Sequence, residues 1–168
     1  MECENNNSIK LPFSIPKYKT YSINTAINGI LEAYGNDEVW LYNNYISLWI
    51  YARRQRKEYM VDFKYDRDIN YYEQCPVLET VILDVRKNQD VNDIIKNSID
   101  NQEYIFLAVD MYFIDSWWKD IEEKEHSEHE MLIWGYDNEK KVFFTADFFK
   151  HTYSIQEISY LDFRMAFD

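Results

Sequence analysis

The sequence predicts an α+β fold in which helices pack on an antiparallel sheet, on three observations. Apolar residues recur with helical period early in the chain, at positions 23, 26, 27, 30, 31 and 34. Later they form short strand-like blocks over 104–109, 131–136 and 142–149, parted by polar connections. Helical patterns at the front and strand patterns behind indicate segregated layers, not βαβ units. A chain of 168 residues suits one domain with one core. Residues 1–10 are expected as a flexible N-terminal tail and 11–168 as the single domain. Just 3 Gly and 3 Pro argue against long irregular linkers, and no solenoid-length repeat is visible.

Pro12 and Pro16 keep 11–19 extended. The stripe from Ile23 to Tyr34 then predicts a helix, with Gly35 in the usual position just past its end. Thr20, Ser22 or Asn24 is expected to cap its start. Asp37 is read as the cap of a second helix with Val39, Tyr42, Ile46 and Ile50 inward, its later half able to be strand. A basic turn, 53–57, follows. Strands are expected over 59–65 and 80–85, with a loop over 71–76 between them. Asp90 caps a helix with Val91, Ile94, Ile95 and Ile99 on its apolar stripe. The block 104–109 reads as a strand buried on both faces. Ser159 and Asp162 resemble a capping box that starts a last helix carrying Phe163 and Phe167.

Thirty acidic against 18 basic residues give a net charge of −12. Such a surface repels phosphate backbones, so no nucleic-acid partner is expected. It also resists anionic membranes, and no apolar run reaches membrane-spanning length. The opening Met1-Glu2-Cys3-Glu4 is unlike a secretory signal, so a cytoplasmic location is the default. Cys3 and Cys75 match no metal or disulfide pattern. Cys75 reads as a small buried hydrophobe.

The stretch 129–147 carries the chemistry. Its two apolar runs flank Asp137-Asn138-Glu139-Lys140-Lys141, a hairpin turn signal. If Tyr136 faces Val142, paired numbers sum to 278 and Met131 faces Asp147. His129 then lies one diagonal step from Asp147 on the same face, roughly 7–8 Å at the backbone. A register shifted by one would separate them. A histidine oriented by an aspartate is two parts of a nucleophilic triad. The third belongs at a helix N-terminus, where free amides stabilise developing negative charge. Ser22 is the nucleophile candidate there, as well as an ordinary capping serine.

The order of these pieces resembles the C39-peptidase-like, papain-type proteins of bacterial specialised-metabolite clusters. That group includes the N-terminal domain of the butirosin acyltransferase family and the closthioamide amide synthetase. The likeness is carried by a buried helix starting near Ser22, by Cys75-Pro76 and by the run 108–114. Its most specific part is H-x-x-L-I-x-G-Y-D over 129–137. The resemblance implies a papain-like (C39-like) fold and a Cys-His-Asp type triad in which His129 and Asp147 serve. The family's cysteine falls on or beside Ser22, and this chain has no cysteine there. The implied reaction moves an acyl group from a carrier-protein thioester to an amine, forming an amide without a cofactor. Its partners would be an acyl carrier protein or thioester substrate and an amine acceptor. The alternatives are hydrolysis, as in a peptidase or thioesterase, and an inactive homologue that binds a partner. Backbone amides of Ser22 and Ile23, with Asn24, are expected at the oxyanion, and Asp110 and Trp117 beside the substrate.

Two rival readings come from the residues themselves. Glu123, Glu125, His126, Glu128, His129 and Glu130 resemble a metal-binding run, but histidines three apart chelate from a helix and diverge on a strand. No metal is therefore expected. Trp117, Trp118, Tyr112 and Phe113 would form a ligand or partner surface in a binding protein.

Overall fold

The computed structural model describes residues 7–44, 48–53, 58–63, 75, 77–83, 89–118, 125–149 and 152–167. In chain order the elements are β1 (Ser8–Lys10), α1 (Ser22–Ala33), α2 (Asp37–Asn44), β2 (Leu48–Arg53) and β3 (Glu58–Phe63). Then come α3 (Val91–Asp100), β4 (Ile105–Asp110), a 3₁₀ turn (Met111–Phe113) and α4 (Asp115–Trp118). The chain ends in β5 (Glu128–Asp137), β6 (Val142–Phe149), β7 (Thr152–Ser159) and α5 (Tyr160–Phe167). A five-stranded antiparallel sheet runs β1-β5-β6-β7, with β4 also on β5. β2 and β3 form a separate hairpin.

Both faces of the large sheet are covered. On one, Val91, Ile95 and Ile99 of α3 and Phe163 and Ala166 of α5 pack on Met131, Ile133, Phe143 and Phe149. On the other, Ala26 and Ile30 of α1 meet Leu132, Trp134, Phe144 and Ala146. The alternation of β5 and β6 thus feeds two cores at once, the mark of a central strand pair. Gly29 lets α1 sit close, because a Cβ there would lie 2.5 Å from the Ser14 carbonyl oxygen and 2.4 Å from the Phe13 ring. Gly35, at φ +70°, closes α1 as expected. Its amide bonds Glu32 O and that of Asn36 bonds Leu31 O, the paired pattern of a Schellman stop.

Several expectations need correction. Tyr21 is the N-cap of α1 and makes no side-chain capping bond to the helix, and Ser22 is the first helical residue, its hydroxyl turned to Asp147. On α2, Val39 and Tyr42 are exposed and Trp40 supplies the buried contact, so the inner face is rotated from the expected one. Ile46 lies outside the described residues, while Ile50 belongs to β2, the strand alternative. Residues 80–83 form no strand, and Val81, Ile82 and Leu83 are exposed; 84–85 lie outside the described residues. The expected strand 59–65 is found as β3 up to Phe63. β4 is half-buried, and among the described residues it pairs with β5 alone. The strands β1 and β7 were unforeseen. Residues 54–57, 71–74 and 76 lie outside the described residues. The caps at Asp90 and Ser159 form as expected, accepting from the amides of Asn92 and Asp162.

The hairpin register carries the most consequential correction. Next to the turn, Tyr136 faces Phe143 and Asp137 faces Val142, so paired numbers sum to 279. Beyond an irregularity between Ile133 and Gly135, Ile133 faces Thr145 and Leu132 faces Ala146, and the sum is 278. An extra residue at Trp134 restores the register on which the His–Asp argument rests. Gly135 beside it allows β1 to close in, because a Cβ would lie 2.4 Å from the Ile9 carbonyl oxygen.

Candidate active site

Pairing of β5 with β6 stops at Leu132–Ala146. Before that point β5 pairs with β4, including Val109 with His129, and after it β6 pairs with β7, including Asp147 with Ser154. The two central strands therefore part where His129 and Asp147 stand. The amino end of α1 meets this parting. Ser22 Oγ–H donates to Asp147 Oδ1 at 2.7 Å and lies 3.5 Å from His129 Nε2. The same Nε2 stands 2.7 Å from Asp147 Oδ2.

A fully buried carboxylate needs compensation. Asp147 receives it from the Ser22 hydroxyl, from the imidazole and from the positive end of α1. The carboxylate in turn holds the His129 pKa above its ordinary value of 6.5, against the opposing effect of burial, with Glu130 adding a smaller pull. The first bond of the α1 ladder is Thr25 N–H to Tyr21 O, so the amides of Ser22 and Ile23, two residues of the cleft lining, precede it.

An open cleft of about 480 Å³ exposes this cluster, lined by Tyr21, Ser22, Ile23, Ala108, Glu128, His129 and Glu130. The structure thus brings Ser22, His129 and Asp147 together. Trp117 also reaches the site: its ring lies 4.8 Å from the imidazole, tilted by 44°, and meets Phe149 edge-on. Asp110 does not line the cleft. It pairs with His126 Nδ1 at 2.6 Å and accepts from the amides of Tyr112 and Ser127. Its pKa is lowered, chiefly by the His126 hydrogen bond. Asn24 is buried, its Oδ1 without a hydrogen-bond partner, and it is absent from the cleft lining.

Sequence reasoning missed Tyr21, Ala108 and the flanking role of Glu128 and Glu130. The signal was available in the pairing of β4 with β5, which sets Ala108 opposite Glu130. Of the acidic run, Glu123 lies outside the described residues, and His126 and His129 engage different aspartates. Among the described residues, no group of three or more His, Cys, Asp or Glu is placed to hold a metal. Among them too, no helix is long and apolar enough to cross a membrane.

Fold and site together define an antiparallel α+β protein with a serine, a histidine and an aspartate at a helix N-terminus. No family model, curated protein or solved structure matches the chain.

Proposed function

We propose that this protein is a cytoplasmic acyltransferase that forms amide bonds, with Ser22 as the acyl-accepting nucleophile and His129 and Asp147 managing its proton. The observation that supports it is the convergence of residues 22, 129 and 147 within 3.5 Å at the start of α1, above an open cleft. Hydroxyl, imidazole and buried carboxylate at a helix N-terminus are the parts that acyl transfer needs. The accompanying fold reading is papain-like (C39-like): a nucleophile on a central helix, and its acid–base partners on neighbouring sheet strands. The substrates in this reading are a thioester, as carried by an acyl carrier protein, and an amine.

A fluorophosphonate and a short acyl thioester test it on the whole chain. A stoichiometric adduct on Ser22 by peptide mass spectrometry, absent in Ser22→Ala, is the expected result, with amide product appearing on addition of an amine. Failure of both reagents to modify Ser22 overturns it.

One observation favours a second reading, a protein that binds an acyl group without chemistry. The Ser22 hydroxyl is committed to Asp147 and not to the imidazole. A thioester analogue that raises the melting temperature while leaving the mass unchanged would select this reading.

A further inference from the structure

We infer that Asp147, and not His129, takes the proton from Ser22, and that His129 acts as a fixed cation beside the reacting oxygen. The inference rests on the acyl-transfer reading above and assigns roles within the same site.

The geometry of one nitrogen carries it. In a serine–histidine–aspartate relay the two imidazole nitrogens divide the work, one accepting from the serine and the other donating to the carboxylate. Here Nε2 faces both partners, Asp147 Oδ2 at 2.7 Å and Ser22 Oγ at 3.5 Å. A nitrogen that close to a carboxylate keeps its hydrogen and has no lone pair left for the hydroxyl. The hydroxyl has already chosen: its bond to Asp147 Oδ1 is 2.7 Å, whereas 3.5 Å is too long for an effective O–H···N bond.

The surroundings favour a cationic ring. The Asp147 carboxylate of β6 touches it, Glu130 of its own strand adds a smaller electrostatic pull, and Glu128 lines the same cleft. The other titratable groups near it are Asp110 of β4, cross-strand partner of Glu128, Tyr21 at the N-cap of α1, and Tyr153 of β7, whose pKa burial pushes up. Among the described residues that line the cleft there is no lysine or arginine. The Trp117 ring on the imidazole adds a cation–π attraction.

The chemistry balances. As Ser22 Oγ bonds the thioester carbonyl carbon, its proton passes to Asp147 Oδ1, and the new oxyanion faces the imidazolium and the first amides of α1. Collapse breaks the C–S bond, and the proton on Asp147 leaves with the sulfur as a thiol. An amine then attacks the acyl-serine and gives a proton to Asp147. The C–Oγ bond breaks, and Ser22 recovers its hydrogen from the carboxyl.

Acetylation of Ser22 by p-nitrophenyl acetate, followed by quenched intact-mass measurement between about pH 5 and pH 9, tests the assignment. The expected rate is level on the acid side and falls as His129 deprotonates. His129→Lys, which keeps the charge, should stay within about tenfold of wild type, whereas Asp147→Asn should lose roughly 10²-fold or more. A rate that climbs with pH through one ionisation, together with an inactive His129→Lys, makes His129 the base and overturns the inference. These two profiles suffice even if Asp147→Asn does not fold. An acetyl adduct with the rising profile sinks this assignment alone. No adduct at any pH sinks the acyl-transfer reading, and the assignment with it.

Discussion

Two histidine–aspartate pairs stand within a few residues of each other, and their difference defines the site. His126 Nδ1 meets Asp110 at 2.6 Å and His129 Nε2 meets Asp147 at 2.7 Å. The contacts are nearly equal, but the settings are not. His126 is 68% exposed and Asp110 32%, whereas His129 is 32% exposed and Asp147 is fully buried. The remaining oxygen of Asp110 is spent on the amides of Tyr112 and Ser127, which fixes the exit of β4 and the entry to β5. That of Asp147 holds the Ser22 hydroxyl. A His–Asp contact by itself is therefore a poor indicator of chemistry. What distinguishes the inner pair is a desolvated carboxylate whose second oxygen meets a reactive group.

The comparison is broken most directly by removing each carboxylate. Asp147→Ala leaves the imidazole and the Ser22 hydroxyl without their buried partner and should cost roughly 2–4 kcal/mol in urea unfolding. It should also abolish Ser22 acylation. Asp110→Ala removes a solvated pair and a turn cap, so the loss should be clearly smaller and Ser22 should still be modified. Equal losses of stability would mean that burial does not separate the pairs.

Smaller effects should appear with opposite pH dependence. The folded-state pKa of His129 lies above 6.5, so its pair contributes fully below that pH and loses its contribution as pH rises through the folded value. That of Asp110 lies below 3.8, so its contribution is complete above that pH and is lost as pH falls through the folded value. Melting temperatures should accordingly show wild type and His129→Gln converging on the alkaline side. Wild type and Asp110→Asn should converge on the acid side. The reverse assignment would contradict the hydrogen-bonding pattern of both pairs.

Much of this arrangement was legible in the residues. Helical spacing located α1 and α3, and the turn between two apolar runs located β5 and β6. The pairing of His129 with Asp147 followed from register arithmetic, although the hairpin reaches that register through an irregularity at Trp134 that no local pattern announced. β7 escaped because an edge strand needs few apolar residues: Tyr153 and Ile158 are buried, while Ile155 is 38% exposed. β1 is three residues long and owes its strand state to the open edge of β5. α2 misled because Val39 and Tyr42 fit an apolar stripe that tertiary packing passed over in favour of Trp40. Ser22 was found by its position at a helix start, but its bond to Asp147 depends on strands parting, which is a property of the assembled sheet.

The smallest expected effect concerns the rings laid on each imidazole. Tyr112 stacks on His126 nearly parallel, at 4.2 Å and 12°, on the exposed side of the sheet end. Trp117 tilts over His129 at 4.8 Å and is itself wedged against Phe149. An aromatic face attracts the imidazolium more than the neutral ring, by about 0.5–1 kcal/mol at a partly solvated position. Trp117→Leu should therefore lower the His129 pKa, read by NMR titration of the imidazole C–H protons. It should move the alkaline fall of Ser22 acylation to lower pH. Tyr112→Leu should leave the His129 titration where it was, because that ring serves the other pair. If Trp117→Leu moves neither the titration nor the pH profile, Trp117 is packing alone, and the raised His129 pKa rests on Asp147 and Glu130.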